Sequence, residues 1–518
     1  MSLGTPYRIL IVGGGTAGWM TAAAMSRFLL AEKYEIVLIE SEVLGTVGVG
    51  EATIPHIRQF NSLLGIDEND FIQATNATYK LGISFEDWSN LGERYIHPFG
   101  SFGHDINGIE FHHYWIKLHK EGLVRSLDDY SMAVVAARKD RFEYPNESDD
   151  SLTSSYAYAF HIDAGLYAKY LRNYAENKGV IRKEGMVTQI IRDHDSGDIS
   201  AVVTKAGERL DADLFIDCSG FRGLIIEQEL HTGFDDWSES LPCDRAVALP
   251  CEHGKGRPSA YTQAIAREAG WQWRIPLQHR VGNGYVYSSR YLSDEEAFNK
   301  LSERLEGAAL AAPNFLKFSA GRRKKSWNKN CVAIGLSSGF LEPLESTSIY
   351  LIQLGIIKLL EFFPGKIIQQ ELRDEFNKVI ELEYLRIRDF LILHYKATKR
   401  SDSDFWKYCK QMNIPDELQR KITLFKASAH IEKYEQGLFM LPSWLAVYLG
   451  QEVYPENYDS RIFNSSPEKI NELLGKMRDR LELAADAMPL ASTAIQRALS
   501  PSVVNYPGAI MSLYGVKQ

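Results

Sequence analysis

The sequence predicts an α/β protein: a Rossmann-like nucleotide-binding module with a β-rich insertion, followed by a helical C-terminal part. Three observations predict it. The stretch "YRILIVGGGTAGWMTAAAMSRFL" runs from a β-branched apolar segment, Ile9 to Val12, into Gly13, Gly15 and Gly18 at G-x-G-x-x-G spacing, and then into a helical pattern. A second apolar strand, "YEIVLIES", follows and ends in Glu40, close to the interval at which such modules place an acid. After about residue 365, segments such as "LRDEFNKVIELEYLRIRDFLILHY" carry the apolar period of helices.

The glycines permit a tight turn, close approach of backbone N–H groups to a pyrophosphate, and tight packing of helix on strand. Glu40 would accept from a ribose hydroxyl, and an acid there disfavours a ribose 2′-phosphate. Two later segments repeat the strand-to-loop pattern. "ADLFIDCSGFRG", Ala212 to Gly223, reads as a strand ending in Asp217; "NCVAIGLSSGFLEPLESTSIYLIQLGIIKLL", Asn330 to Leu360, reads as a strand, a small-residue loop and an apolar helix. Three such elements converging on one extended cofactor suit FAD. No second G-x-G-x-x-G follows a strand, so no resident NAD(P)H site is expected and the flavin must be reduced from outside.

The chain of 518 residues exceeds the size of a single core. We expect a FAD-binding module over residues 1–365, carrying substrate-side β-rich segments at about 75–330, and a helical module over 366–518 that caps the substrate site. A net charge of −9, from 58 basic and 67 acidic residues, argues against nucleic acid as a partner. The five cysteines contain no Cys-x-x-Cys pair, which fits reduced thiols of a cytoplasmic protein and no metal site. The apolar N-terminal stretch is broken by glycines and an arginine, so neither signal peptide nor membrane span is expected.

Within "NATYKLGISFEDW", Asn76 to Trp88, alternation puts Lys80, Gly82 and Ser84 opposite Tyr79, Leu81, Ile83 and Phe85. Taken alone, this pattern points Lys80 into water, because lysine is seldom buried without a partner or a task. "GWQWRIP" places Trp271 and Trp273 on one face of a strand, an arrangement that by itself suits a packed core.

The motifs "GGGTAGWM", "GVGEATIP" (Gly48 to Pro55), "YKLGISF", "GWQWRIP" and "FLEPLESTSIY" (Phe340 to Tyr350), in this order, make the chain resemble the flavin-dependent halogenases of the tryptophan halogenase family. "HIDAGLYAKYLR" and "DSDFWKY" extend the likeness, which weakens after about residue 425. The resemblance implies an FAD enzyme that receives reduced flavin from a separate reductase and forms a flavin hydroperoxide with O2. Halide, bromide or chloride, attacks it, and the resulting hypohalous acid travels through a tunnel to a separate aromatic substrate. Lys80 matches the lysine at the substrate end and Glu345 the nearby glutamate. Lys80 would activate the halogen as an ammonium donor or as a haloamine, and Glu345 would orient it, accept the arenium proton or stabilise the ring cation. Read by itself, Glu345 is a carboxylate at the start of the helix from Ile349 onward.

The likeness assigns Thr347 and Ser348 to the halide through their backbone N–H groups, with Ser348 standing where many members have glycine. It adds Thr16, Ala17, Ala52, Asp217, Gly335, Ser348 and Ile349 to the flavin site of Gly13, Gly15, Gly18 and Glu40. Trp271 and Trp273, with Ile54 and Pro55, become a wall between flavin and substrate. Ser346 couples the two ends, and His97 and Phe99 of "YIHPFG" line an indole pocket.

Free-tryptophan halogenases grip the amino-acid ammonium and carboxylate with a tyrosine pair, a glutamate and a Phe-Trp dipeptide. "AHIEKYEQGLFMLPSWLAVYLGQEVYP" has Tyr434 and Glu435 but neither the Tyr-Tyr pair nor Phe-Trp at the expected place. Indole or a simple derivative is therefore the expected substrate. The rival readings are a flavin monooxygenase or oxidase on the same fold, and a noncatalytic flavin-binding protein. The chain is expected to be a monomer or homodimer.

Overall fold

The computed structural model describes residues 6–41, 50–124, 126–146, 151–255, 258–434 and 437–500. Gly48 and Val49 of "GVGEATIP", and Glu435, lie outside them. The apolar run Tyr7–Val12 forms a central strand of a six-stranded sheet, in the order Trp327–Asn328, Cys331–Ala333, Leu214–Asp217, Tyr7–Val12, Tyr34–Glu40, Ile181–Glu184. Its pairings with Tyr34–Glu40 and Leu214–Asp217 are parallel, and the helix Thr16–Phe28 makes the crossover. Parallel strands covered on both faces need near-continuous apolar runs, which is what these segments supply. Gly13 has φ +114°, and a Cβ on it would lie 2.3 Å from the Cys218 carbonyl oxygen, so only glycine makes this turn.

The β-rich middle is a seven-stranded sheet ordered Asn314–Lys317, Arg245–Ala248, Val281–Tyr287, Gly270–Pro276, Thr262–Arg267, Gly82–Glu86, Arg94–Pro98. It is antiparallel except where Thr262–Arg267 runs parallel to Gly82–Glu86. Trp273 stands directly opposite Gly284, where any Cβ would fall 2.0 Å from the indole. The missing side chain makes the room for the large one.

A small antiparallel sheet joins Gly50–Ala52, Ala159–Asp163 and Thr78–Lys80. The chain passes from this sheet to the large one at Leu81, whose N–H donates to Ala260 and whose carbonyl accepts from Phe99. "NATYKLGISFEDW" is thus two short strands in two sheets. The expectation that the lysine face meets water does not hold: Lys80 and Ser84 are both fully buried.

The apolar helix Ser348–Glu361 leads to Gln370–Lys396 and then to shorter helices, including Asp416–Ser428, Leu441–Gly450 and Pro467–Ala487. Leu441–Gly450 lies on the edge strand Arg94–Pro98; a Cβ on Gly450 would come within 2.4 Å of the Tyr95 ring, and Gln451 donates to the Tyr95 hydroxyl at 3.2 Å. Among the described residues no helix is long and apolar enough to cross a membrane, and no His, Cys, Asp and Glu cluster could hold a metal.

Candidate active site

A cavity of about 790 Å³ opens where the six-stranded sheet meets the larger one. Its walls include Gly13, Gly15, Thr16, Ala17, Glu40 and Ala52 on one side and Trp271, Trp273, Ser346, Ser348 and Ile349 on the other. Gly15 precedes the helix Thr16–Phe28 with no side-chain cap, which leaves first-turn N–H groups for a pyrophosphate. A Cβ on Gly14 would collide with the Glu40 carboxylate at 1.6 Å, so this edge is kept bare. Glu40 accepts from Arg182 Nε at 2.6 Å and from the Trp19 indole at 3.4 Å, which fixes it beside the glycine turn. Bare backbone, an acid and an apolar far wall fit an extended dinucleotide such as FAD.

Three residues expected at the cofactor stand behind the cavity wall. Gly18 lets the helix settle on the turn, since its Cβ would be 1.9 Å from the Gly13 oxygen. Gly335 takes φ +77° and backs onto Ala17. Asp217 is fully buried, and its carboxylate accepts from the N–H groups of Ser219, Ile225 and Ile226 and from the Ser219 hydroxyl. Its capacity goes to the loop that follows, so direct cofactor contact by the Asp217 side chain is corrected to a supporting role.

Lys80 Nζ donates to the Thr53 carbonyl at 2.9 Å and to Ser346 Oγ at 2.8 Å. It also lies 5.0 Å from the centre of the Phe99 ring. Burial pushes its pKa down to about 7, and the negative charge of Glu345 opposes part of that shift. Ser346, in the left-handed region at φ 60°, both lines the cavity and accepts from Lys80. Ile54 and Pro55 are buried beside Thr53 but lie outside the cavity wall.

Glu345 ends the turn Pro343–Glu345 and is 1% exposed. His97 Nδ1 lies 2.8 Å from its Oε2, and His394 Nε2 lies 2.8 Å from its Oε1. Burial alone would raise its pKa, but the imidazoles of His97 and His394 bring it down to about 2. The reading of Glu345 as a helix-terminal carboxylate gives way to this histidine clamp. The helix starts at Ser348, one residue before the expected position. Thr347 precedes it fully buried, with Oγ1 lacking a hydrogen-bond partner, as suits a small anion at a helix start.

Aromatic rings enclose this end. Phe390 and Phe439 stack at 3.9 Å, with His97 at 5.8 and 6.2 Å from them and Trp444 at 5.3 Å from Phe390. On the other side, Trp271 and Trp273 stand 6.3 Å apart in the cavity wall. The Trp271 indole donates to Glu342 at 2.6 Å, and Tyr395 donates to the same oxygen at 2.5 Å. Glu342 is 1% exposed, and burial pushes its carboxyl up to about 7. Glu51, in the cavity wall, is likewise pushed up to about 7 by burial.

Sequence reasoning missed Glu342, Glu51, His394, Phe390 and Phe439. Glu342 opens the E-P-L-E-S-T segment and Glu51 sits in "GVGEATIP", so both were within reach. His394, Phe390 and Phe439 are hidden among the apolar residues of helices and their approach.

The tryptophan halogenase family model matches residues 8–466. Tryptophan 6-halogenase SttH of Streptomyces toxytricini is 36% identical, over 94% of this chain and 98% of its own. The solved structure of BrvH, a flavin-dependent halogenase from Brevundimonas sp. BAL3, is 44% identical with a TM-score of 0.91, covering 95% of this chain and 99% of its own. Xcc4156, a flavin-dependent halogenase from Xanthomonas campestris, is also 44% identical, with a TM-score of 0.92 over 96% of this chain and 100% of its own. On these matches the chain belongs to the tryptophan halogenase family: it is a flavin-dependent halogenase, an oxidoreductase that takes reduced FAD from a separate reductase and uses O2 and halide on an aromatic substrate.

Proposed function

We propose that the chain halogenates a neutral, electron-rich arene of the indole type, with Lys80 and Glu345 acting at the arene and Thr347 and Ser348 holding the halide. Reduced FAD with O2 supplies the oxidising power that turns halide and a proton into hypohalous acid and water. The FAD-binding part over residues 1–365, with its β-rich segments, houses that step, and the helices from 366 cap the arene site.

At the arene end, the Lys80 ammonium donates to the oxygen of hypohalous acid. The oxygen–halogen bond breaks with its electrons passing to oxygen, the carbon–halogen bond forms, and water leaves. The Lys80 amine then takes the ring proton and is restored. A group near 7 gives and recovers a proton at neutral pH with little cost either way. Glu345, held near 2, keeps its charge throughout and stabilises the ring cation. Trp271 and Trp273 keep the arene away from the flavin, which favours halogenation over direct monooxygenation.

The observation that carries this reading is a fully buried lysine held by a residue of the flavin cavity wall, Ser346. Choice of an indole over an amino acid is supported by what the charged groups nearby already hold. Glu345 faces two histidines, and Tyr434 lies under Arg386 and Lys421, at 4.6 and 5.2 Å. SttH is by name a tryptophan halogenase, whereas BrvH and Xcc4156 are named only as flavin-dependent halogenases.

The test is mass spectrometry of indole and of tryptophan, each incubated with the protein, FAD, a flavin reductase with NADH, O2 and either bromide or chloride. A halogen isotope pattern on indole in preference to tryptophan is expected. Preference for tryptophan would overturn the substrate assignment. Hydroxylated products with no halogen would overturn the mechanism.

A further inference from the structure

His394 sits in the helix Gln370–Lys396, fully buried, with both ring nitrogens close to oxygen. Nδ1 is 2.8 Å from the Phe390 carbonyl, one turn back. A carbonyl only accepts, so Nδ1 carries a proton. Nε2 is 2.8 Å from Glu345 Oε1, yet the two are not aligned as a hydrogen bond. An unprotonated Nε2 would press its lone pair on a carboxylate oxygen at that distance. His97 already approaches the other carboxylate oxygen through Nδ1.

We propose that His394 is an imidazolium, and that it, not Lys80, is the counter-cation and positioning residue of the Glu345 carboxylate. Two of the three Lys80 N–H donors go to Thr53 and Ser346, and the ammonium and the carboxylate of this site form no direct pair. With His97 against one oxygen and His394 against the other, the carboxylate is held from both sides, and the cation offsets a charge that would otherwise act more strongly on Lys80.

The groups packed around His394 leave few other candidates for that proton. Phe85 and Trp88 face it with apolar rings at 4.8 and 6.0 Å, and the Gln451 amide donates to its backbone carbonyl. The titratable groups nearby are Glu345, His97 and, behind Phe85, Tyr95, whose hydroxyl accepts from Gln451. The next residue, Tyr395, points away to Glu342.

The functional part rests on the reading of Lys80 and Glu345 given above; the proton count does not. Protein labelled with 15N-histidine is examined by NMR at pH 7.5, the His394 signals being assigned by their loss in His394→Gln, or in His394→Asn should that variant fold better. Both His394 nitrogens are expected to carry protons. An unprotonated Nε2 would overturn the inference, whatever the enzyme's activity.

The second arm is the pH profile of product formation with chemically reduced FAD. Without the imidazolium, Glu345 acts more strongly on Lys80, so the limb near pH 7 is expected to move upward in His394→Gln and to return in His394→Arg. A limb that stays in place in His394→Gln would leave the residue a merely structural role. A wild type that halogenates no arene but shows a doubly protonated His394 would overturn the proposed function and leave the charge assignment standing.

Discussion

Ser346 accepts a 2.8 Å hydrogen bond from Lys80 although 266 positions separate them in the chain, and the same serine lines the flavin cavity. In the reaction proposed above, this contact connects the place where oxidant is made to the place where it is used, and removing either partner is expected to separate the two halves of that reaction.

Lys80→Ala is expected to lower halogenated product by ~100-fold or more, the scale of a lost proton-transfer group. FAD binding, followed by flavin fluorescence, should be retained because Lys80 is not in the cavity wall. Loss of FAD binding would show that the flavin and arene ends are not separate.

Ser346→Ala removes one acceptor of a charged donor, a change of about 2 kcal/mol. Product formation should fall roughly 10- to 100-fold while reduced flavin is still reoxidised. The ratio of product to flavin oxidised is the readout, and an unchanged ratio would detach Ser346 from halogen transfer.

Activity should fall as pH rises through about 7, because the ammonium form of Lys80 donates and its pKa is lowered to about 7 by burial. An activity that instead falls below pH 7 would favour the free amine, and with it a haloamine. Chemically reduced FAD keeps the reductase's own pH dependence out of the measurement.

Phe439→Ala opens the space between Phe390 and His97. Loss of a ring that is 7% exposed should cost about 3 kcal/mol in stability. Larger arenes should gain in kcat/KM relative to indole. Equal losses for small and large arenes would remove Phe439 from the substrate slot.

Glu342→Gln tests the buried carboxyl behind Trp271. With its folded pKa raised from 4.5 to about 7, the wild type loses stability as pH climbs from about 4.5 to 7, where the unfolded carboxyl ionises and the folded one does not. The glutamine variant lacks this term, so between pH 4.5 and 8 its stability relative to wild type should improve by about 3 kcal/mol. Thermal midpoints at the two pH values measure it, and a constant gap would mean that Glu342 is ionised throughout.

Much of the fold was legible because its signals are local. The glycine turn, the strand to Glu40 and the helical period after residue 365 each depend on neighbours in sequence, and all three form. Lys80 shows what local signals lack. Whether its side chain meets water depends on Thr53 and Ser346, brought in from far along the chain. A strand-end acid such as Asp217 reads the same in sequence whether its side chain faces a ligand or, as here, the loop that follows it. His394 gave no sign at all, since a histidine in an apolar helix reads as packing until its two oxygen partners are located.

The thiols of this chain face an unusual hazard. In the reaction proposed above, hypohalous acid that no arene consumes would oxidise the protein that formed it. Cys218 lies in the wall of the flavin cavity, within reach of that leak. Burial pushes its thiol well up from the ordinary range, and all five cysteines are buried. A protonated thiol is a far weaker nucleophile than a thiolate, so attack on the halogen is slowed at the most exposed sulfur. On that reading, the dryness of the interior protects the thiols as well as the reaction.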